Sequence, residues 1–158
     1  MTATARLDRL LAARRLALER DRSPTPGALL HALGWATVDL DRATEELAGE
    51  LGLALGAFAD AAGSATLGAR CRVAPAALPG RLALVILEPS LEGRLATTLA
   101  RLDEGPVVTW YAVKPGGADG LPGPARPGPF GPERLATGDP VHGPHRFLIE
   151  VAPGTIAP

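Results

Sequence analysis

One stretch constrains the fold more than any other: residues 81–113, which read RLALVILEPS, LEGRLATTLARLDEG and PVVTWYAV in succession. Residues 82–87 form an unbroken apolar run between a glycine and a proline. That run is too short for a helix, so it predicts a buried strand. Ser90 follows as an N-cap, and Leu91, Leu95, Leu99 and Leu102 recur at helical spacing with Glu92, Arg94, Thr98 and Arg101 between them, which predicts an amphipathic helix ending at Gly105. Residues 107–113, β-branched and aromatic, predict the next strand.

The rest of the chain hangs on this core. Residues 4–22 carry Leu7, Leu10, Leu11, Leu16 and Leu18 among arginines and acids, the pattern of a helix with one apolar stripe and a solvated charged face. The stripe can pack on its own chain or on a second copy. A proline-rich break at 23–27 separates this extension (1–24) from the main domain (28–152). Residues 28–38 predict a strand with Ala32, Gly34 and Ala36 on one face and His31, Leu33, Trp35 and Thr37 on the other. Asp39 then caps a helix over 40–51 that Gly52 closes. Residues 53–58 and 67–73 are strand candidates, with a turn built on Pro75, Pro79 and Gly80 before the strand at 82. After residue 113 the regularity fails: 114–131 is a glycine- and proline-rich surface loop, 132–137 a short strand, and HRFLIEV at 145–151 a closing strand.

Composition narrows the function classes. Sixteen basic and seventeen acidic residues in a chain of 158 leave a net charge of −1, which gives no electrostatic case for nucleic acid or an anionic membrane surface. No apolar run approaches the length of a membrane span, and a cytoplasmic protein is expected. The single cysteine, Cys71, lies in a strand-like run and reads as a small buried hydrophobe.

Three motifs together carry a family resemblance. ALGWATVDLDRATEELAGELGL resembles the first strand and capped helix of the vicinal oxygen chelate superfamily. The Leu-Glu-Pro strand end of LALVILEPS, with its connecting helix and Asp-Glu-Gly turn, is similar to the middle of methylmalonyl-CoA epimerases and glyoxalase-like proteins, and HRFLIEV resembles the closing strand that carries a glutamate. The resemblance implies an α+β fold in which paired βαβββ units form a curved mixed sheet around a cleft. Here the second unit lacks its helix and an extra helix stands at the N-terminus instead. We expect that extra helix to cover the sheet surface left bare.

The resemblance also implies four metal-ligand positions, which fall on Ala32, Val85, Val108 and Glu150. Three are apolar, and one carboxylate does not hold a catalytic divalent ion. His31 neighbours the first position, but a one-residue offset is expected to turn it to the other face. His142 and His145 offer an unconventional alternative with His31 or Glu150. No metal and no other cofactor is therefore expected, and the walls read by alternation are Ala32, Gly34, Ala36, Ala83, Val85, Leu87, Val108, Trp110, Ala112, Leu148 and Glu150. Small residues opposite Trp110 leave room for an apolar or aromatic ligand, with Glu150 as its polar handle and, in a dry cleft, a base of raised pKa.

Three function classes follow from these residues. The first is a metal-independent small-molecule-binding protein with an apolar cleft. The second, implied by the resemblance, is a lyase or isomerase of the methylmalonyl-CoA epimerase or glyoxalase type acting on a carbonyl or acyl-thioester substrate, with Glu150 as its catalytic group. The third is a degenerate domain serving oligomerisation. The expected partners are a small apolar or aromatic molecule and a second copy of the chain in a homodimer. Elemental analysis of the protein as purified tests the metal-free reading: it should find no stoichiometric divalent ion, and one ion per chain would overturn it.

Overall fold

The computed structural model describes residues 3–90 and 92–152. Helix α1 (Ala3–Ala17) precedes β1 (Leu29–Ala36), α2 (Leu40–Leu51), β2 (Ala59–Ser64), β3 (Ala69–Leu78) and β4 (Leu82–Pro89). Then come α3 (Arg94–Leu102), β5 (Gly105–Val113), β6 (Arg126–Gly128), β7 (Gly131–Leu135) and β8 (His145–Glu150). The eight strands form one sheet in the order β2-β3-β4-β1-β5-β8-β7-β6. Within each unit the first and last strands pair in parallel, β1 with β4 and β5 with β8, and the two units meet antiparallel at β1 and β5. The sheet curls until its ends approach, and the Ala65 N–H donates to the Pro127 carbonyl across the seam at 2.9 Å.

Curvature divides the buried residues into two sets. Leu33 and Trp35 of β1, Leu84 and Ile86 of β4, Tyr111 and Val113 of β5 and Leu148 of β8 line the outer face, under α1 and α2. Ala32, Ala36, Ala83, Val85, Leu87, Val108, Trp110, Ala112, Phe147 and Ile149 line the inner face, where Leu95 of α3 joins them. Alternation along each strand produces this split, since successive side chains leave opposite faces.

The helix ends follow from their caps. Asp39 accepts from the Arg42 N–H at 3.1 Å, and Gly52 takes φ 68° and donates back to Ala48 and Gly49, which starts and stops α2 where the sequence places it. Glu88, at the end of β4, adds a second cap by accepting from the Leu40 N–H at 2.7 Å. That bond fixes the α2 N-terminus to the central sheet. Helix α3 begins at Arg94 after Gly93, with no side-chain cap, so Ser90 does not start it; Leu91 lies outside the described residues. Residues 55–57 form a single 3-10 turn instead of a strand, and the following strand is β2. Strand β3 runs on through Pro75 to Leu78, with a register shift between Ala74 and Leu78, so the turn is confined to Pro79–Arg81.

Helix α1 packs on its own chain. Its buried stripe is Leu10 and Ala17 with Ala13 between them, whereas Leu16 and Leu18 remain 44% and 53% exposed. Its arginines are not a free solvated face. Arg6 bridges Glu46 and Glu50 of α2, Arg9 lies 5.2 Å from the Trp35 ring centroid and donates to the Glu104 carbonyl, and Arg14 donates to the Pro79 carbonyl at 3.0 Å. The Tyr111 hydroxyl of β5 donates to the Ala17 carbonyl at 2.8 Å, holding the last turn. The second unit has no helix between β5 and β6, and α1 lies against the outer face of β5 beside α2. Truncating Leu10 should cost about 2–5 kcal/mol in urea unfolding, and the same change at exposed Leu18 less than about 0.5 kcal/mol. Equal effects would mean that α1 does not dock through this stripe.

Candidate functional site

The inner face of the barrel is filled by aromatic rings. Trp110 of β5 stacks on Phe147 of β8 with centroids 5.9 Å apart and meets Phe130, at the tip of the β6–β7 hairpin, edge-on at 5.6 Å. Its six-membered ring lies over β1 at Gly34, where an added Cβ would sit 2.8 Å from both Trp110 and Leu87. The glycine is thus required by close approach, and the space that alternation assigns to a ligand beside Gly34 is occupied by indole.

Inside this apolar shell sits one carboxylate. Glu133 of β7 is 1% exposed; its Oε1 accepts from the Trp110 Nε1–H at 3.0 Å and its Oε2 from the Ser64 hydroxyl at 2.8 Å. Gly128, opposite on β6, gives the carboxyl its room, because a Cβ there would collide with it. Among the described residues no cation pairs with Glu133. Burial pushes its pKa up to about 7, against the smaller opposing pull of the Trp110 and Ser64 hydrogen bonds. Burial also drives the nearby Cys71 thiol up to about 12, which leaves it an unreactive hydrophobe.

The residues singled out by sequence divide between the two faces. Ala32, Gly34, Ala36, Val85, Val108 and Trp110 face the interior around Glu133. Leu148 and Glu150 do not, because β8 has the opposite phase: Phe147 and Ile149 point inward, Leu148 points to the outer core, and Glu150 is exposed. Glu150 instead accepts from the Gly116 N–H at 2.5 Å and, at 3.5 Å, from that of Ala118, so it pins the loop after β5. Glu150 is therefore not the carboxylate of the interior; the one buried there is Glu133.

His31 also departs from expectation. A register shift between Leu30 and Ala32 breaks the alternation of β1 against β5, and the imidazole reaches Phe130 with ring centroids 4.8 Å apart. Burial lowers its pKa. His145 is buried elsewhere, its Nε2 bonded at 2.8 Å to the Thr98 hydroxyl, which itself donates to the Arg94 carbonyl. Nε2 must then be the protonated nitrogen. Among the described residues no group of three or more His, Cys, Asp and Glu side chains is placed to hold a metal ion.

Two units on one curved sheet, each with its first and last strands paired in parallel, have the architecture of the vicinal oxygen chelate fold, from which the second unit departs in lacking its helix, and solved structures share that fold. A variant of the Streptomyces coelicolor methylmalonyl-CoA epimerase in complex with 2-nitronate-propionyl-CoA superposes with a TM-score of 0.60 at 20% identity, covering 78% of this chain and 97% of its own. The methylmalonyl-CoA epimerase of Mycobacterium tuberculosis gives 0.60 at 21% identity over 78% of this chain and 88% of its own. A mutant 4-hydroxymandelate synthase from Streptomyces coelicolor gives 0.53 at 17% identity, over 82% of this chain and 40% of that longer one. No protein-family model matches the sequence, and no curated protein matches it.

Glu133 makes the fold pH-dependent in a defined direction. Its carboxyl is raised from an ordinary 4.5 to about 7, so the stability it permits is complete below pH 4.5 and is lost as pH rises through 7. The full loss is about 3 kcal/mol, an order-of-magnitude figure at 1.36 kcal/mol per unit. Glu133→Gln imitates the protonated form, its amide oxygen accepting from the Trp110 Nε1–H and its amide NH2 donating to the Ser64 hydroxyl. Chemical denaturation from pH 5 to 8 should show this slope in the parent and not in the variant. Parallel curves would show that Glu133 does not titrate in this range.

Proposed function

We propose that the chain is a metal-independent binding protein for a small apolar or aromatic molecule, taken up by the barrel interior against Glu133. The observation that carries this reading is an uncompensated carboxylate held by Trp110 and Ser64 in an otherwise apolar aromatic shell. A core selected for stability alone gains nothing from a buried charge that no cation neutralises. Perturbed carboxylates in such surroundings concentrate at sites of binding or proton transfer. The entry is the β6–β7 hairpin, whose Phe130 stands between the half-buried His31 and Trp110. Moving Phe130 aside would bring a ligand onto the indole and within reach of Glu133.

A second reading rests on the same residue. A carboxylate with a pKa near 7 is matched to removing a proton from carbon beside a carbonyl at neutral pH. Its support is that one solved neighbour is a methylmalonyl-CoA epimerase in complex with methylmalonyl-CoA and NH4+. In this reading Glu133 is the base and the acyl group lies where Phe130 now packs.

The test uses Trp110 as reporter. The chain has two tryptophans, so Trp35→Phe leaves Trp110 alone. Titration with the neutral apolar dye N-phenyl-1-naphthylamine should quench the indole, and Phe130→Ala, by clearing the entry, should tighten binding by about tenfold, or about 1.4 kcal/mol. Deuterium incorporation at C2 of methylmalonyl-CoA in D2O, lost in Glu133→Gln, would move the chain from binding protein to enzyme. An indole that no apolar probe perturbs, in the parent or in Phe130→Ala, would leave the interior a closed core and defeat both readings.

A further inference from the structure

A second cavity, of about 220 Å³, opens on the opposite side of the sheet. Its floor is the outer face of β7 and β8, with Arg134, Arg146 and Leu148; its roof is Leu121 and Pro122 of the loop after β5; and Ser23 and Pro24, after α1, close one side. Arg134 stands directly across from Leu148 in the β7–β8 pairing, so a guanidinium and an apolar surface are neighbours by register. The cavity exists because the second unit has no helix over β8: α1 covers β5, and only loop 114–125 reaches across β7 and β8.

The two arginines differ in charge balance. Arg146 is neutralised by Asp139, with Nε 2.9 Å from one carboxylate oxygen, and also donates to the Arg22 carbonyl at 2.7 Å. Arg134 donates to the Gly123 carbonyl in the loop, and among the described residues no carboxylate pairs with it. The cavity therefore presents one uncompensated positive charge beside leucine and proline side chains. Asp139, close behind Arg146, repels a dianion about twice as strongly as a singly charged carboxylate.

From this arrangement we infer that the outer cavity is a binding site for a short-chain organic monocarboxylate, its carboxylate on the Arg134 guanidinium and its aliphatic tail between Leu148 and Leu121. A planar guanidinium pairs with a carboxylate through two parallel hydrogen bonds; inorganic phosphate can make the same pair but has no tail for the apolar part, and an alcohol has the tail but neither the charge nor the second acceptor. At about 30 Å³ per water in the liquid, the volume corresponds to about seven waters, the bulk of a four- to six-carbon acid. Such a ligand bridges β7 to the loop, replacing or joining the Arg134 contact to Gly123. The site is separate from the barrel interior and does not depend on how Glu133 is read.

The test is an amide chemical-shift titration of the full chain with sodium hexanoate, with hexan-1-ol and inorganic phosphate as comparators. Hexanoate should shift the amides of Leu121, Arg134 and Leu148, with both comparators weaker by about tenfold or more. Arg134→Gln should lower hexanoate affinity by a similar factor. Leu121→Glu, in the loop that packs against the outer core, should do the same by placing a competing carboxylate beside Arg134, with an unchanged amide spectrum away from the loop as the check that the fold is kept. Glu133→Gln should leave hexanoate binding unchanged, which separates this site from the interior one. Shifts confined to Trp110 and Glu133, phosphate binding as strong as hexanoate, or affinity retained in both site variants would each overturn the assignment.

Discussion

The contact of Trp110 with Gly34 sets the inner geometry of this barrel. Because position 34 carries no Cβ, the indole crosses β1 and its six-membered ring fills the space between the two units. Everything inside takes its place from that ring: Phe147 stacks on one side, Phe130 meets an edge, and the indole N–H reaches β7 to hold Glu133. A ring so placed excludes water, and a dry surrounding is what raises the Glu133 carboxyl. The packing that closes the cleft is thus also the origin of its chemistry.

Outside the sheet, the corresponding constraint is the absence of a helix in the second unit. Helix α1 takes the outer face of β5, held by arginines that reach α2, Trp35 and backbone carbonyls. Arginine suits this work because its long stem packs on apolar surface while its planar head finds several acceptors. Helix α1 does not cover β8, and that strip is left to a proline-rich loop pinned by Glu150 through Gly116 and Ala118. A loop cannot pack as densely as a helix, which is why a cavity remains beneath it.

Much of this was legible in the residues. Period-2 alternation placed β1, β4 and β5 with the correct inner faces, and the Asp39 and Gly52 caps bounded α2. The failures have physical causes. On β8 the more apolar set of HRFLIEV, Phe147 and Ile149, takes the core, which turns Glu150 outward. The face of His31 is set by a bulge, a property of pairing between strands that leaves no mark within one strand. Glu133 is hard to read from sequence because it sits in a five-residue strand amid glycine and proline. Its signal was there: Glu133 shares a face with Leu135, and Gly128 on the neighbouring strand leaves room for its carboxyl.

The buried carboxylate has one further consequence, in the heat of folding. An unfolded chain at pH 6 carries Glu133 ionised, whereas the folded barrel holds it largely protonated, so this carboxyl draws close to one proton from the medium on folding, against protons released by the buried His31 and His145, whose pKa values burial lowers. The buffer that supplies this proton contributes its own enthalpy of ionisation. Calorimetric unfolding enthalpies measured near neutrality in phosphate and in an amine buffer will differ by that amount at equal stability, and the difference counts the net protons that the fold captures.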